Sequence, residues 1–460
     1  MAIKTTNPAT NEVVASFEEM TAPQIEVAIS TAHSTFQVWK KTSYEERAKL
    51  LHKVAELMRQ KKNTLAKTIT LEMGKLIAES EGEITLSADI YDYYANNGKE
   101  FLADVHLKPE EGEAFIRHSP IGVLLGIQPW NFPFYQVARF VAPSIMIGNV
   151  VLVKHASNVP QCGIAMEQLF KEAGALTGIY TNLLITGENI GALISDNRIR
   201  GTALTGSEEA GGSMAAVAGK NLKKSILELG GSDAFVVLED ADMEKTVEWA
   251  VVGRMNNTGQ CCVAAKRFIV VEAVADEFLK KFKEKLTGLK VGDPMEKGTQ
   301  LGPLSSEASA VHLDEQVKRL VKAGAKVELG GKRMDRKGAY MEATILTDIK
   351  AGMDGYYEEL FGPVVSFFRV KDEAAAIVLA NDSPYGLGGS VFTNDIERGK
   401  RVADQIDTGM VFINHPTWTK PDLPFGGTKR SGYGRELSKL GVEEFVNKKL
   451  IRVNKLTDSF

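Results

Sequence analysis

Three short segments carry side chains suited to attack on a carbonyl group. In Asn257-Thr-Gly-Gln-Cys-Cys262 the glycine permits close backbone approach, and Cys262 closes a turn that can face a cleft. As a thiolate Cys262 is a nucleophile; as a thiol it is equally a small buried hydrophobe. Glu228, in Leu227-Glu-Leu-Gly-Gly231, sits between leucines at the mouth of a strand or turn. Burial would raise its pKa toward general-base work, whereas exposure would leave an ordinary acid at a strand end. Asn131, in Pro129-Trp-Asn-Phe-Pro133, lies on a loop fixed by two prolines. Its amide either meets a developing oxyanion or satisfies its own backbone. A fourth segment, Leu204-Thr-Gly-Ser-Glu-Glu-Ala-Gly211, is a glycine turn after an apolar stretch, where backbone N–H groups can meet a phosphate. The G-x-G-x-x-G dinucleotide fingerprint is absent, so this is no ordinary Rossmann signature.

These side chains need elements to hold them. Residues 23–95 read as mostly helical, and Ala48, Leu51, Val54, Ala55 and Met58 fall on one face of a helix. From Gly122 onward short apolar runs alternate with helical stretches: Gly122–Ile127, Val150–Val153, Asn182–Ile185 and Gly201–Leu204. A second series follows with Ala234–Leu238, Phe268–Val271, Val364–Phe368 and Ser390–Phe392. Continuous apolar runs interleaved with helices predict doubly wound, mostly parallel sheets covered on both faces. Ala114–Arg117 and Lys449–Val453 fit neither series and read as an outlying hairpin and tail, with an oligomer contact as one use for such edges.

Composition narrows the function classes. The 55 basic and 59 acidic residues nearly cancel, leaving no electrostatic footprint for nucleic acid or an anionic membrane. No run approaches the ~18 unbroken apolar residues of a membrane span. The start lacks the charged-then-apolar pattern of a signal peptide, so a cytoplasmic location is expected. The three cysteines, Cys162, Cys261 and Cys262, form no disulfide framework and lack zinc-site spacing; no metal is expected.

Taken in order, the segments resemble the aldehyde dehydrogenase superfamily. Further matches are Asn7-Pro-Ala-Thr10, Leu71-Glu-Met-Gly-Lys75, Glu359-Leu-Phe-Gly-Pro-Val364, Asn381-Asp-Ser-Pro-Tyr-Gly-Leu387, Leu423-Pro-Phe-Gly-Gly427 and Ser431-Gly-Tyr-Gly-Arg-Glu436, so the resemblance spans essentially the whole chain. It implies an α/β fold of two doubly wound domains plus a small β oligomerisation element. Residues 1–107 and 119–229 would bind cofactor, 230–432 would form the catalytic domain, and 108–118 with 433–460 would make the hairpin and tail of a homodimer or homotetramer. The resemblance further implies that Cys262 attacks an aldehyde and that Asn131 and the Cys262 N–H stabilise the oxyanion. Loss of one such donor costs about 3 kcal/mol. Glu228 would then activate water to hydrolyse the thioester, which argues against the acyl-CoA-forming branch. Trp130, Lys154, Gly206 and Ser207 would contact the cofactor, with Glu359 on the nicotinamide ribose and Phe361 near the ring.

Two departures bear on specificity. Many NAD-preferring relatives carry glutamate three residues after the lysine matching Lys154; this chain has Ser157. A carboxylate there would repel a 2′-phosphate, so NADP is the preferred cofactor, with NAD possible. Arg139 matches the position associated with the distal carboxylate in succinate-semialdehyde dehydrogenases, and its planar fork suits that task. The alternative is a helix-surface arginine in a salt bridge. A second arginine found in some of those enzymes is replaced here by Asn256, and Arg254 points elsewhere if its stretch is helical. Groups near His415-Pro-Thr-Trp-Thr419 could complete the grip. Medium-chain or phosphorylated aldehydes are the alternative substrates, and a catalytically silent relative would be expected to have lost Cys262, Glu228 or Asn131.

Overall fold

The computed structural model describes residues 2–457; residue 1 of the expected cofactor segment and 458–460 of the expected tail lie outside the described residues. The chain opens with an antiparallel hairpin, β1 (Ala2–Asn7) and β2 (Glu12–Glu18). Four helices follow: α1 (Ala22–Trp39), α2 (Tyr44–Gln60), α3 (Lys62–Met73) and α4 (Ile77–Phe101). Ser43 and Glu46 close a reciprocal capping box at the start of α2. Leu51, Val54, Ala55 and Met58 are buried on the face their spacing predicts, with Ala48 at its half-buried margin.

The next strands are β3 (Val105–Leu107), β4 (Glu113–Pro120), β5 (Val123–Gln128), β6 (Val150–His155), β7 (Tyr180–Asn182), β8 (Ile199–Thr205) and β9 (Lys224–Glu228). Between them lie α5 (Tyr135–Ile147), α6 (Pro160–Glu172), α7 (Ile190–Ser195) and α8 (Glu208–Lys220). β7, β6, β5, β8 and β9 form a parallel array. The expected strand at Asn182–Ile185 starts and ends earlier: the chain turns out of the edge after Asn182, and the Ile185 N–H bonds the Leu183 carbonyl.

A four-residue connection, Leu229–Ser232, leads from the end of β9 to the start of β10 (Asp233–Val237) in a second sheet. After α9 (Met243–Met255) that sheet continues with β11 (Ala265–Val271), β12 (Lys326–Leu329), β13 (Thr344–Thr347) and β14 (Val364–Val370). The short β15 (Tyr385–Gly386) lies outside it, and β16 (Gly389–Phe392) and β17 (Phe412–Ile413) complete it. Its order is β12-β13-β14-β11-β10-β16-β17, with only β12 antiparallel. Alternate residues of β10 enter separate cores, Ala234 and Val236 on one face and Phe235 and Val237 on the other. Two covered faces explain why these strands read as unbroken apolar runs.

β18 (Thr428–Lys429) pairs with β15, and β19 (Gly432–Tyr433) runs antiparallel to β9 on the edge of the first sheet. β20 (Val446–Val453) pairs along β4, giving a separate sheet β20-β4-β3. Val105, Leu107, Leu450 and Val453 are exposed on it. The expected outlier therefore differs in extent from 108–118 and 433–460. Its strands begin at Val105, and residues 433–445 fold back instead of joining it, because Glu436 pairs with Phe425 through the backbone and with Arg139 through its carboxylate.

The topology assembles the cleft. The carboxyl ends of β5, β6, β8 and β9 face the amino ends of β10, β11 and β14, since β9 runs straight into β10 through so short a link. Cys262 precedes β11, and Glu359 and Phe361 precede β14. β11 and β14 are parallel neighbours, so their leading loops must meet.

Candidate active site

Cys262 follows a turn that the backbone alone would not choose. Asn257, Thr258 and Gly259 have φ of 52°, 54° and 76° in succession. A β-branched threonine in this region is a genuine outlier, and such strain persists only when surroundings impose it. Here they do. The Asn257 N–H donates to Glu79 Oε1 at 3.0 Å, and its Nδ2 to the carbonyls of Asn131 and Gln260 at 3.1 Å each. Thr258 Oγ1 accepts from the Gly302 N–H. Gly259 is needed for closeness as well as sign of φ, since a Cβ there would lie 2.4 Å from the Gly362 carbonyl oxygen. Arg254 is buried at the end of α9 and donates to the carbonyls of Gly259, Leu360, Gly362 and Val364. It points away from the cavity, as its helical position predicts, and clamps the two loops together.

Cys261 is buried and Cys262 half-buried. A shared hydrogen bond between the thiols pushes Cys262 well up, assisted by burial, and holds Cys261 down. The first proton therefore leaves the pair rather than Cys262 alone. Beneath them Lys266, fully buried, donates to the carbonyls of both Cys261 and Cys262 at 2.8 Å and pairs with Glu359 Oε1 at 2.9 Å. This lysine was not singled out in the sequence. Its signal was one of two adjacent charges, Lys266 and Arg267, at the start of a strand whose every residue is buried.

Asn131 faces this loop across the cleft. Gln136 Nε2 donates to Asn131 Oδ1 at 3.1 Å, which turns Nδ2 toward the Gln260 carbonyl, also at 3.1 Å. Glu228 ends β9, buried, with neither carboxylate oxygen bonded to a protein group. Desolvation and the neighbouring Glu436 hold its pKa well above the usual carboxylate range, against the pull of Arg139. The link after it comes close to both reacting loops. A Cβ on Gly230 would lie 2.6 Å from Glu359 Oε2, and one on Gly231 2.5 Å from the Cys262 carbonyl oxygen.

Cys261 and Cys262 line a cavity of about 360 Å³ together with Phe132, Tyr135, Arg139, Asn256 and Thr417–Thr419. Arg139 is buried on α5, a helix with no exposed residue. Its Nε lies 2.7 Å from Glu436 Oε2, its Nη1 donates to Tyr135 Oη at 3.2 Å, and its Nη2 has no hydrogen-bond partner among the described residues. Its guanidinium lies over the rings of Tyr135 and Phe425. Arg139 thus lines the cavity and makes a salt bridge, but a buried one instead of one on a helix surface. Tyr135, whose hydroxyl also donates to Thr419 Oγ1, and Glu436 were missed as site residues. Glu436 sat unassigned within a quoted motif. Glu79 lines the same cavity, and burial pushes its carboxyl up to about 7.

Several of the residues expected to meet the cofactor follow strands of the first sheet. Gly206 follows β8, its N–H bonded to the Glu228 carbonyl, and Ser207 caps α8. Lys154 is half-buried at the end of β6 and makes no ion pair among the described residues, while Ser157 is exposed in the following turn. Burial lowers the Lys154 pKa. His155 between them is held neutral, pushed down by burial to about 4, with Nε2 against the Pro133 carbonyl. Trp130 meets Phe361 edge to face at 5.8 Å. A cation without an ion pair among the described residues, a hydroxyl and a helix start are each suited to meet a phosphate. No cluster of three or more metal-ligating side chains occurs among the described residues.

Residues 1–451 match the aldehyde dehydrogenase family, and the chain belongs to it. Among its relatives is a succinate-semialdehyde dehydrogenase of Deinococcus radiodurans designated for NADP(+), 48% identical over 97% of this chain and 94% of the relative. A Mycobacterium tuberculosis enzyme of the same designation is 43% identical over 98% of this chain and 99% of its own. The crystal structure of succinic semialdehyde dehydrogenase from Streptococcus pyogenes, in complex with NADP+, superposes with a TM-score of 0.97 at 43% identity, covering 98% of this chain and 100% of that one.

Proposed function

We propose that this protein oxidises succinate semialdehyde to succinate with NADP as the preferred cofactor. The observation that carries the substrate is Arg139 Nη2, a buried donor without a protein partner on the wall of the cavity that holds Cys262. A distal carboxylate would satisfy it, with the guanidinium already oriented by Glu436 and Tyr135. A phosphorylated aldehyde would need several cations, and the other charged groups lining this cavity, Glu79 and Glu83, are acids. The relatives above support both the substrate and the cofactor.

In this reading Cys262, deprotonated, attacks the aldehyde carbon. Asn131 Nδ2 and the Cys262 N–H receive the oxyanion. The bound nicotinamide supplies the hydride acceptor that leaves a thioester on Cys262. Glu228, enclosed and carrying a raised pKa, then removes a proton from the attacking water. Lys154, Ser157, Gly206 and Ser207 hold the dinucleotide, Glu359 its ribose, and Trp130 and Phe361 border the ring. Ser157 leaves room for a 2′-phosphate beside Lys154.

Residues 1–107 and 119–229 act as the cofactor domain and 230–432 as the catalytic domain. The exposed apolar side chains of β3 and β20 suit a homodimer or homotetramer contact. No described helix is long and apolar enough to cross a membrane; we assign the enzyme to the cytoplasm, where its free cysteines stay reduced. The test is a kcat/KM panel of aldehydes with each cofactor. Succinate semialdehyde with NADP+ should lead; a lead by butanal or glyceraldehyde 3-phosphate would replace the substrate, and a lead by NAD+ the cofactor.

A further inference from the structure

We propose that Lys266 is a positioning residue that aims the oxyanion-binding N–H of Cys262. The argument starts from the peptide unit. A trans peptide is planar, so its C=O and N–H point in opposite directions. The carbonyl of Cys261 and the N–H of Cys262 belong to one such plane. Lys266 Nζ holds that carbonyl at 2.8 Å, which directs the Cys262 N–H away from the lysine. That N–H makes no hydrogen bond to any described residue, although Cys262 borders the cavity.

The same ammonium holds the Cys262 carbonyl at 2.8 Å. Both peptide planes flanking the Cys262 Cα are therefore held by one group, and with them the direction of the N–H. The third donor goes to Glu359 at 2.9 Å, which stops the lysine from swinging with the loop. Lysine fits the task because it has three donors on one compact centre, and here all three are used. A buried ammonium is costly unless paired; here Glu359 supplies the counter-charge and the two carbonyls take the remaining donors.

The proposal rests on Cys262 being the nucleophile, and the test separates the two. Lys266→Met and Lys266→Gln are made in the full chain beside Cys262→Ala. Turnover of succinate semialdehyde is compared with alkylation of Cys262 by iodoacetamide across pH. Displacement of iodide forms no oxyanion, so a misaimed N–H slows oxidation and spares alkylation. For Lys266→Met we expect kcat to fall about 100-fold, the loss typical of one oxyanion donor. Its plateau alkylation rate and alkylation pKa should stay close to those of the parent. Lys266→Gln, which keeps a neutral donor, should retain more kcat than Lys266→Met; if Lys266→Met does not fold, the same split in Lys266→Gln decides. Parallel loss of kcat and plateau alkylation would overturn the proposal. So would a raised alkylation pKa with kcat restored at high pH, which would make Lys266 a charge support for the thiolate. Unchanged kcat would also overturn it. Turnover surviving in Cys262→Ala would instead remove the nucleophile assignment itself.

Discussion

The cavity wall and the cofactor side of the cleft treat polar groups in opposite ways. On the cavity wall α5 is buried throughout and Arg139 is locked by Glu436 and Tyr135, while Glu228 is buried with no hydrogen bond to its carboxylate among the described residues. At the ends of β6 and β8 Ser157 is exposed, Lys154 is half-buried with no ion pair among the described residues, and Ser207 caps α8. The difference teaches where each kind of work is done. Charge developing during bond formation is stabilised best by fixed dipoles in a dry, low-dielectric site. A cofactor that must enter and leave is better held by backbone donors and side chains that water can re-solvate.

That contrast can be broken at the cavity first. Cys262→Ala should abolish aldehyde oxidation, while Cys261→Ala should stay within about tenfold of the parent, since exposure to the cavity and not thiol acidity selects the nucleophile. Steady-state NADPH formation checks this, and the reverse ranking would reassign the reaction to Cys261. The next effect is on the substrate. Arg139→Ala should raise KM for succinate semialdehyde about 30- to 100-fold more than KM for butanal, the value of a charge-assisted hydrogen bond. Its melting temperature must be followed alongside, because Glu436 loses its buried partner. Equal rises for both aldehydes would leave Arg139 a structural arginine. The smallest effect belongs to the open side. Ser157→Glu should shift the NADP+/NAD+ ratio of kcat/KM about tenfold toward NAD+, as a carboxylate facing a solvated phosphate would. No shift would mean that the turn after β6 lies away from the 2′-phosphate.

The two sides also differed in how far they could be read from residues alone. Buried parallel strands are apolar end to end, so β5, β6, β8, β10, β11 and β14 stood out with ends wrong by a few residues. The Gly206-Ser207 turn was legible because strand, glycine, cap and helix are consecutive in the chain. Asn131 and Cys262 were legible only as alternatives between chemistry and packing. Lys266 and Glu436 went unread. Lys266 acquires meaning from a turn that brings two nearby carbonyls back onto it and from distant Glu359, and Glu436 from distant Arg139.

Local chemistry, then, was decided by residue type: a thiol, an amide, a carboxylate, a glycine turn and a serine where an acid would exclude a phosphate. Strand and helix followed from apolar periodicity, which is a short-range property. What only the tertiary structure decided is how those groups face one another. Arg139 meets Glu436, Lys266 meets Glu359, and Glu79 pins Asn257 because parallel neighbours and the short β9–β10 link bring their loops to one cleft. Burial then sets their chemistry. Glu228 has a raised pKa because of what surrounds it, and no pattern of neighbours in sequence determines a desolvation energy.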